Sequence, residues 1–189
     1  TMAMAVAPRL VPAIDLSSRH RLLDLGGGPG TYAIHFCLAH PGLTADLFDL
    51  PTSRPFAEQT IARFDLGSRV AFLPGDYHTD EISGPYDAAW LSHILHAEGP
   101  EECVKIIRKA VSALAPGGMV MIHEFILNDA MDGPVFPALF ALNMLLGTPA
   151  GQAYSERQLM DMLAAAGAHD LRRIPVQTPN DSGVIVGLV

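Results

Sequence analysis

Short apolar runs alternate with longer segments in which apolar residues recur every three or four positions. The runs at 21–25, 43–48, 70–73, 86–91 and 119–125 read as strands, and 171–174 and 184–188 read as a closing pair. Helical periodicity occupies 32–39, 54–64, 137–146 and 156–166, with Phe56, Ile61 and Phe64 as core positions of the second. A further helix begins at Gly99-Pro100, where proline suits the first turn and Glu101 and Glu102 suit the dipole. Val104, Ile107, Val111 and Leu114 give it one apolar face, and Pro116-Gly117-Gly118 ends it. Ser155 and Gln158 form a capping box for the helix from 156. Residues 1–16 read as a helical lead-in broken by Pro8 and Pro12.

Strands that alternate with helices predict an α/β fold. The expected architecture is a doubly wound, mostly parallel seven-stranded sheet with helices on both faces and an antiparallel closing strand. Ligands of such sheets bind at the carboxyl ends of the strands. The chemistry is therefore expected after Leu25, Phe48, Leu73, Leu91 and Phe125.

Composition narrows the classes. Of 189 residues, 49% are apolar and 17% charged, so some apolar surface is expected to be covered by a partner or by missing chain. A net charge of −8 argues against nucleic acid, and no apolar run is long enough to span a bilayer. Cys37 and Cys103 fall on predicted helices and read as reduced core thiols of a cytoplasmic protein. No basic leader precedes the apolar start. The beginning, Thr1-Met2-Ala3, suggests a piece of something longer.

The chemistry concentrates around Leu22-Leu23-Asp24-Leu25-Gly26-Gly27-Gly28-Pro29-Gly30-Thr31. A strand ends in an acid, meets glycines and becomes a helix. Gly26, Gly28 and Gly30 give G-x-G-x-G, and the third position of the dinucleotide fingerprint falls on Thr31. Such a loop lets a ligand approach the backbone, and the helix behind it presents unpaired N–H groups. Asp49 closes the second strand, where a carboxylate suits a ribose diol. Asp76 follows the third, with Tyr77 as an apolar face for a base. Together these acids describe a pocket for a nucleoside with a positively charged tail.

The series Asp24 to Gly30, Phe48-Asp49-Leu50-Pro51, Gly75-Asp76, Leu95-His96 before Glu101-Glu102-Cys103, and Pro116-Gly117-Gly118 resembles the plant-type (caffeate/hydroxyindole) O-methyltransferase family. The resemblance implies S-adenosylmethionine as cofactor and a hydroxylated aromatic small molecule as substrate. It implies that Asp24, Gly26, Gly28 and Gly30 hold the methionine part, Asp49 and Leu50 the ribose, and Asp76 and Tyr77 the adenine. Ser92 stands near the cofactor where relatives often carry lysine. His96 matches the catalytic base, and Glu124 and Glu156 match two acids that hold it. No metal is expected. Residues 1–20 would be the lead-in from a missing N-terminal dimerisation domain, and 21–189 the catalytic domain of a homodimer.

Chemistry supports a histidine base independently. A phenol with a pKa of roughly 10 is protonated at neutral pH, and an imidazole near 6.5 can take its proton as transfer proceeds. His93 and His123 lie close in sequence, but His123 is expected on the other face of its strand, and His96 is favoured. In the run His96-Ala97-Glu98-Gly99 the acid that relatives carry after the histidine is absent. Two alternatives stand beside this reading: a non-catalytic cofactor-binding module acting through a partner, and a nicotinamide dehydrogenase.

Overall fold

The run Arg21–Leu25 forms the central strand β1, and the sheet grows from it in both directions. The computed structural model of the chain describes residues 2–189, so of the predicted lead-in only Thr1 lies outside the described residues. A helix α1 (Met2–Leu10) precedes β1, and a short 3-10 turn, Val11–Ala13, links the two. After β1 come α2 (Thr31–Ala39), β2 (Thr44–Asp49), α3 (Arg54–Arg63), β3 (Val70–Pro74) and β4 (Tyr86–Ser92). Then follow α4 (Pro100–Ser112), β5 (Leu114–Leu127), α5 (Val135–Gly147), β6 (Tyr154–Ser155), α6 (Glu156–Ala165), β7 (His169–Arg173) and β8 (Ser182–Leu188).

The strand order is β3-β2-β1-β4-β5-β8-β7, with the two-residue β6 paired to β5 off this path. The pairs within β3-β2-β1-β4-β5 are parallel, and β8 runs antiparallel to both β5 and β7. The chain winds outward from β1 to β3, then returns to β4 on the other side of β1. The crevice between the carboxyl ends of β1 and β4 is thus the topological switch point, where doubly wound sheets bind ligands.

Alternation along each strand divides the core in two. Leu22, Leu47, Trp90, Met121 and Val186 pack on one face with α1, α2 and α3. Leu23, Leu91, Ile122 and Ile185 pack on the other with α4 and α6. The lead-in belongs to the first core, because Val6, Leu10, Val11, Ile14 and Leu16 are all buried in it. Residue 20 is therefore no packing boundary.

Several local readings shift. Helix α1 continues through Pro8 and ends two residues later. On α3 the buried pair is Ala57 and Ile61, four apart, while Phe56 is 64% exposed. The buried stripe of α4 is Cys103, Ile106, Ile107 and Ala110, with Val104 and Val111 at its margin. Strand β5 is longer than the apolar run, because Leu114 pairs with Tyr86 before an irregularity in register. Both cysteines are free and buried, and burial pushes each thiol up to about 11. Among the described residues no helix is long and apolar enough to cross a membrane.

Candidate active site

The glycine loop explains its own spacing. Gly26, Gly28 and Gly30 have φ of 67°, 55° and 76°, so every second residue takes the left-handed conformation that glycine adopts without strain. The loop is pinned by Gly26 N–H donating to the Phe48 carbonyl at 2.8 Å and Gly28 N–H donating to Asp49 Oδ2 at 2.7 Å. A Cβ built on Gly28 would meet nothing within 4 Å, so this backbone faces open space. A Cβ on Gly27 would fall 2.5 Å from Asp24 Cγ, so the loop lies directly on that acid.

A cavity of about 220 Å³ opens here, lined by Ala3, Gly26, Gly27, Gly28, Pro29, Thr31, Tyr32, Ser92 and His93. Its polar groups are under-satisfied. Among the described residues, five buried side-chain atoms lack a hydrogen-bond partner: Asp24 Oδ1, Tyr32 Oη, His35 Nε2, Trp90 Nε1 and His93 Nδ1. Tyr32 and His93 line the cavity, Asp24 lies under its loop, and the Trp90 ring packs 5.1 Å from that of Tyr32. Two of these atoms, Tyr32 Oη and His93 Nδ1, belong to residues that line the cavity, where an unpaired polar atom leaves room for a partner. Burial pushes Asp24 up to about 7, against a single N–H donated by Ala33 at 3.2 Å. A wider groove of about 610 Å³ lies between Asn128, Asp129, Glu156, Arg157 and Arg173. Two of its acids are already paired with its two arginines, Asp129 with Arg157 and Glu156 with Arg173.

Of the predicted nucleoside residues, Asp49 and Tyr77 meet the glycine loop beside the cavity. Asp49 accepts from Gly28 N–H, Leu50 N–H and the Ser53 hydroxyl. A carboxylate has about four acceptor positions, so a diol would take the remaining one or displace Ser53. Leu50 itself is 47% exposed, and it touches this site through its N–H. Asp76 caps its own turn by accepting from His78 N–H at 2.8 Å. The Tyr77 ring lies 3.4 Å from the Cβ position of Gly26, and burial pushes its phenol up to about 12. Ser92 meets His123 Nδ1 at 2.9 Å, and His123 Nε2 meets the Ser182 hydroxyl at 3.0 Å. As the strand alternation requires, His123 lies on the Trp90 side, and burial holds it well below the ordinary imidazole range.

Beside the cavity stands a histidine pair on one carboxylate. His96 lies in the single turn Leu95–Ala97 after β4, and its Nδ1 is 2.8 Å from Glu124 Oε2. Glu124, buried at 2% exposure on β5, also accepts from the N–H groups of Leu95 and His96 through Oε1. Burial opposes its charge, but the imidazoles of His93 and His96 hold it well below the usual carboxylate range. An ionised carboxylate only accepts, so His96 turns an Nδ1–H to it, and in the neutral imidazole Nε2 is then the nitrogen with the lone pair. His93 has φ of 57°, and its Nδ1 is 3.4 Å from the same oxygen: close enough for charge attraction, too poorly aligned for a hydrogen bond. Phe140 meets the His96 ring edge-on at 4.8 Å, and Phe125 lies 4.5 Å from Phe140 and 5.0 Å from Phe136.

The structure does not bring Glu156 to this pair. Its position at the start of α6 turns its carboxylate to Arg173 at 2.9 Å, a partly exposed ion pair at the wider groove. Only one of the two expected acids, Glu124, meets His96. Sequence reasoning missed Tyr32 and underweighted His93. Tyr32 reads as a core aromatic of α2, and nothing local marks its hydroxyl as unpaired. The positive φ of His93 has no sequence signature.

Comparison with known proteins places the chain among its relatives. The chain is 34% identical over 188 residues to a 3-hydroxy-5-methyl-1-naphthoate 3-O-methyltransferase of Streptomyces sahachiroi, covering 100% of this chain and 54% of that protein. It is 37% identical over 182 residues to an L-tyrosine C(3)-methyltransferase of Streptomyces lavendulae, covering 94% and 49%. The structure of human N-acetylserotonin methyltransferase in complex with SAM superposes with a TM-score of 0.85 at 27% identity, over 96% of this chain and 51% of that one. The chain thus spans about half the length of the relatives it matches. With the switch-point cavity, the glycine cradle and the His96–Glu124 pair in place, and with residues 2–169 matched by the O-methyltransferase domain model, the chain belongs to that family.

Proposed function

We propose that this chain is the catalytic part of an S-adenosylmethionine-dependent O-methyltransferase acting on a small, flat, hydroxylated aromatic molecule, with His96 as general base. The observation that carries this reading is the 2.8 Å contact of His96 Nδ1 with buried Glu124, next to a glycine cradle whose buried polar atoms lack partners. The cradle fits the cofactor: the open backbone at Gly28 admits close approach, Asp49 has acceptor capacity left for a hydroxyl, and Tyr77 offers a ring face.

When bound, S-adenosylmethionine supplies an electrophilic methyl group on a sulfonium. The chain's own residues do the rest. Gly26, Gly28 and Gly30 with Asp24, Tyr32 and Ser92 hold the methionine end; Asp49 and Leu50 hold the ribose; Asp76 and Tyr77 flank the adenine. Phe125, Phe136 and Phe140 form an aromatic wall beside His96 for a planar acceptor. His96 Nε2 takes the hydroxyl proton as the oxygen becomes nucleophilic, and Glu124 stabilises the resulting imidazolium and fixes its orientation. Alignment of the two reactants supplies much of the remaining acceleration. The exposed apolar residues Val135, Leu139, Leu142 and Leu145 of α5 are the surface that a homodimer partner would cover, and two reduced cysteines suit a cytoplasmic setting.

Calorimetric titration with S-adenosylmethionine and with NAD tests the cofactor. Binding of the first alone is expected, and binding of NAD alone would return the dehydrogenase reading. Incubation with a panel of phenols, read by mass, tests turnover. Binding without product across the panel would favour the non-catalytic module. The 37% identity to a tyrosine C(3)-methyltransferase favours one second reading. The same base would raise electron density at the ring carbon beside the phenolate. NMR of the product separates an O-methyl from a C-methyl group.

A further inference from the structure

We propose that His93, His96 and Glu124 form a binding site for a divalent transition-metal ion of the zinc class, and that filling it switches the base off. The site itself is independent of the proposed function; only the inhibitory consequence rests on the His96 reading.

Three observations carry it. One ligand atom from each of His93, His96 and Glu124 lies within 4.8 Å of the other two, and both imidazole Nδ1 atoms approach the same Glu124 Oε2, at 3.4 Å and 2.8 Å. Zinc bound by two imidazoles and a carboxylate at about 2.0–2.2 Å has ligand atoms about 3.3–3.4 Å apart in a tetrahedron. The His93–Glu124 distance of 3.4 Å already matches, and the 2.8 Å His96–Glu124 contact need only relax by a few tenths of an ångström once its proton leaves. Second, His93 Nδ1 is buried without a hydrogen-bond partner, held there by a left-handed backbone at φ 57°. A strained backbone that aims an unpaired imidazole nitrogen at a carboxylate is costly unless something occupies the gap. Third, the ring side chains remain 23% and 16% exposed, so an ion and a water as fourth ligand can reach the site. Two imidazoles and one carboxylate suit zinc or cobalt better than calcium or magnesium.

The consequence follows from the single proton of a neutral imidazole. In the free enzyme it sits on Nδ1, donated to Glu124, and Nε2 is basic. A metal on Nδ1 displaces that proton, which is taken up at Nε2 through solvent. No proton is lost overall and no oxidation occurs. The nitrogen that faces the acceptor now carries hydrogen, so it cannot accept one.

The test uses the purified full chain and metal salts alone. Titration with Co²⁺ should give the visible absorption of a tetrahedral cobalt centre, saturating at one equivalent, and Zn²⁺ should displace it. His93→Asn, chosen because asparagine tolerates the left-handed backbone, should weaken Co²⁺ by roughly 100-fold or more, beyond the tenfold to hundredfold typical of an outer partner. If that variant fails to fold, the imidazole ¹⁵N signals of the unaltered protein decide: one equivalent of Zn²⁺ should shift those of both His93 and His96. Absence of a tetrahedral band and of these shifts overturns the site, as does Co²⁺ affinity unchanged in His93→Asn. In turnover assays Zn²⁺ should inhibit and EDTA should restore activity, with the ratio of inhibited to uninhibited rate near one in His93→Asn. Metal bound at both imidazoles without inhibition leaves the site standing and breaks the assignment of His96 as base.

Discussion

The two sides of the cleft are built from different material. At the end of β1 the cavity-facing surface is backbone: three glycines in left-handed conformations, N–H groups tied to Asp49 and to the Phe48 carbonyl, and open space over Gly28. At the ends of β4 and β5 it is side chain: one buried carboxylate, two imidazoles and a wall of phenylalanines. The backbone side is insensitive to most chemistry but not to an added Cβ. The side-chain side depends on single atoms. A function that requires both can therefore lose binding and turnover separately.

Breaking the side-chain half should have the largest effect. His96→Gln, assayed for methyl transfer with a competent acceptor, should lower turnover by roughly 10²–10⁴ while cofactor affinity measured by calorimetry stays near that of the unaltered protein. The loss should shrink as pH approaches the acceptor's own pKa, where solvent supplies the phenolate. Full turnover at neutral pH would mean that alignment alone drives the reaction.

The acid under the loop sharpens the contrast through pH. Asp24 is raised from 3.8 to about 7 by burial, so the folded protein prefers it neutral. Its contribution to stability is fully present below pH 4, falls as the unfolded chain ionises, and is exhausted once pH passes about 7. At 1.36 kcal/mol per pKa unit the penalty approaches about 4 kcal/mol. Denaturant unfolding of Asp24→Asn between pH 4 and 8 should lack this decline; parallel curves for the two proteins would show that Asp24 keeps an ordinary pKa.

A smaller effect is expected at Asp49, which ties the loop and is proposed to serve the ligand. Asp49→Ala should weaken S-adenosylmethionine by about 1–3 kcal/mol, since a buried hydroxyl loses a charged acceptor and Gly28 loses its tether. Unchanged calorimetric affinity would remove Asp49 from the site. Smallest of all is Glu156→Gln. An ion pair 38% exposed on both partners contributes about 0–1 kcal/mol, and turnover should be unaffected. A large drop in turnover would show that Glu156 reaches the base after all.

The legible parts of the molecule are those written in local pattern. Glycines at 26, 28 and 30 announce their left-handed backbone because no other residue takes it freely, and the strands β1, β2 and β4 announce themselves as apolar runs. His96 and Glu124 were legible only through resemblance, since 28 residues of separation leave no periodic trace. Glu156 fails for the same reason in reverse. The resemblance placed it near the base, but at the start of α6, after the capping residue Ser155, its side chain pairs with Arg173. Phe56 and Ala57 show the limit of periodicity, because a one-residue phase error on a short helix exchanges core for surface. The apolar residues of α5 were legible in place, as an unusually apolar helix at 137–146 that reads as part substrate pocket or subunit contact.

The hydroxyl-imidazole chain from Ser92 through His123 to Ser182, and on to Thr178 and Asn180, crosses three adjacent strands. Each member satisfies the next, and burial keeps His123 neutral, so it cannot turn to solvent when a neighbour is lost. The heritable unit here is consequently the whole ladder. An apolar residue at 92 strands the His123 Nδ1 atom at a cost of about 1–3 kcal/mol. A change at the floor of the cavity is therefore felt at Ser182 on β8 and in the loop before it, far along the chain.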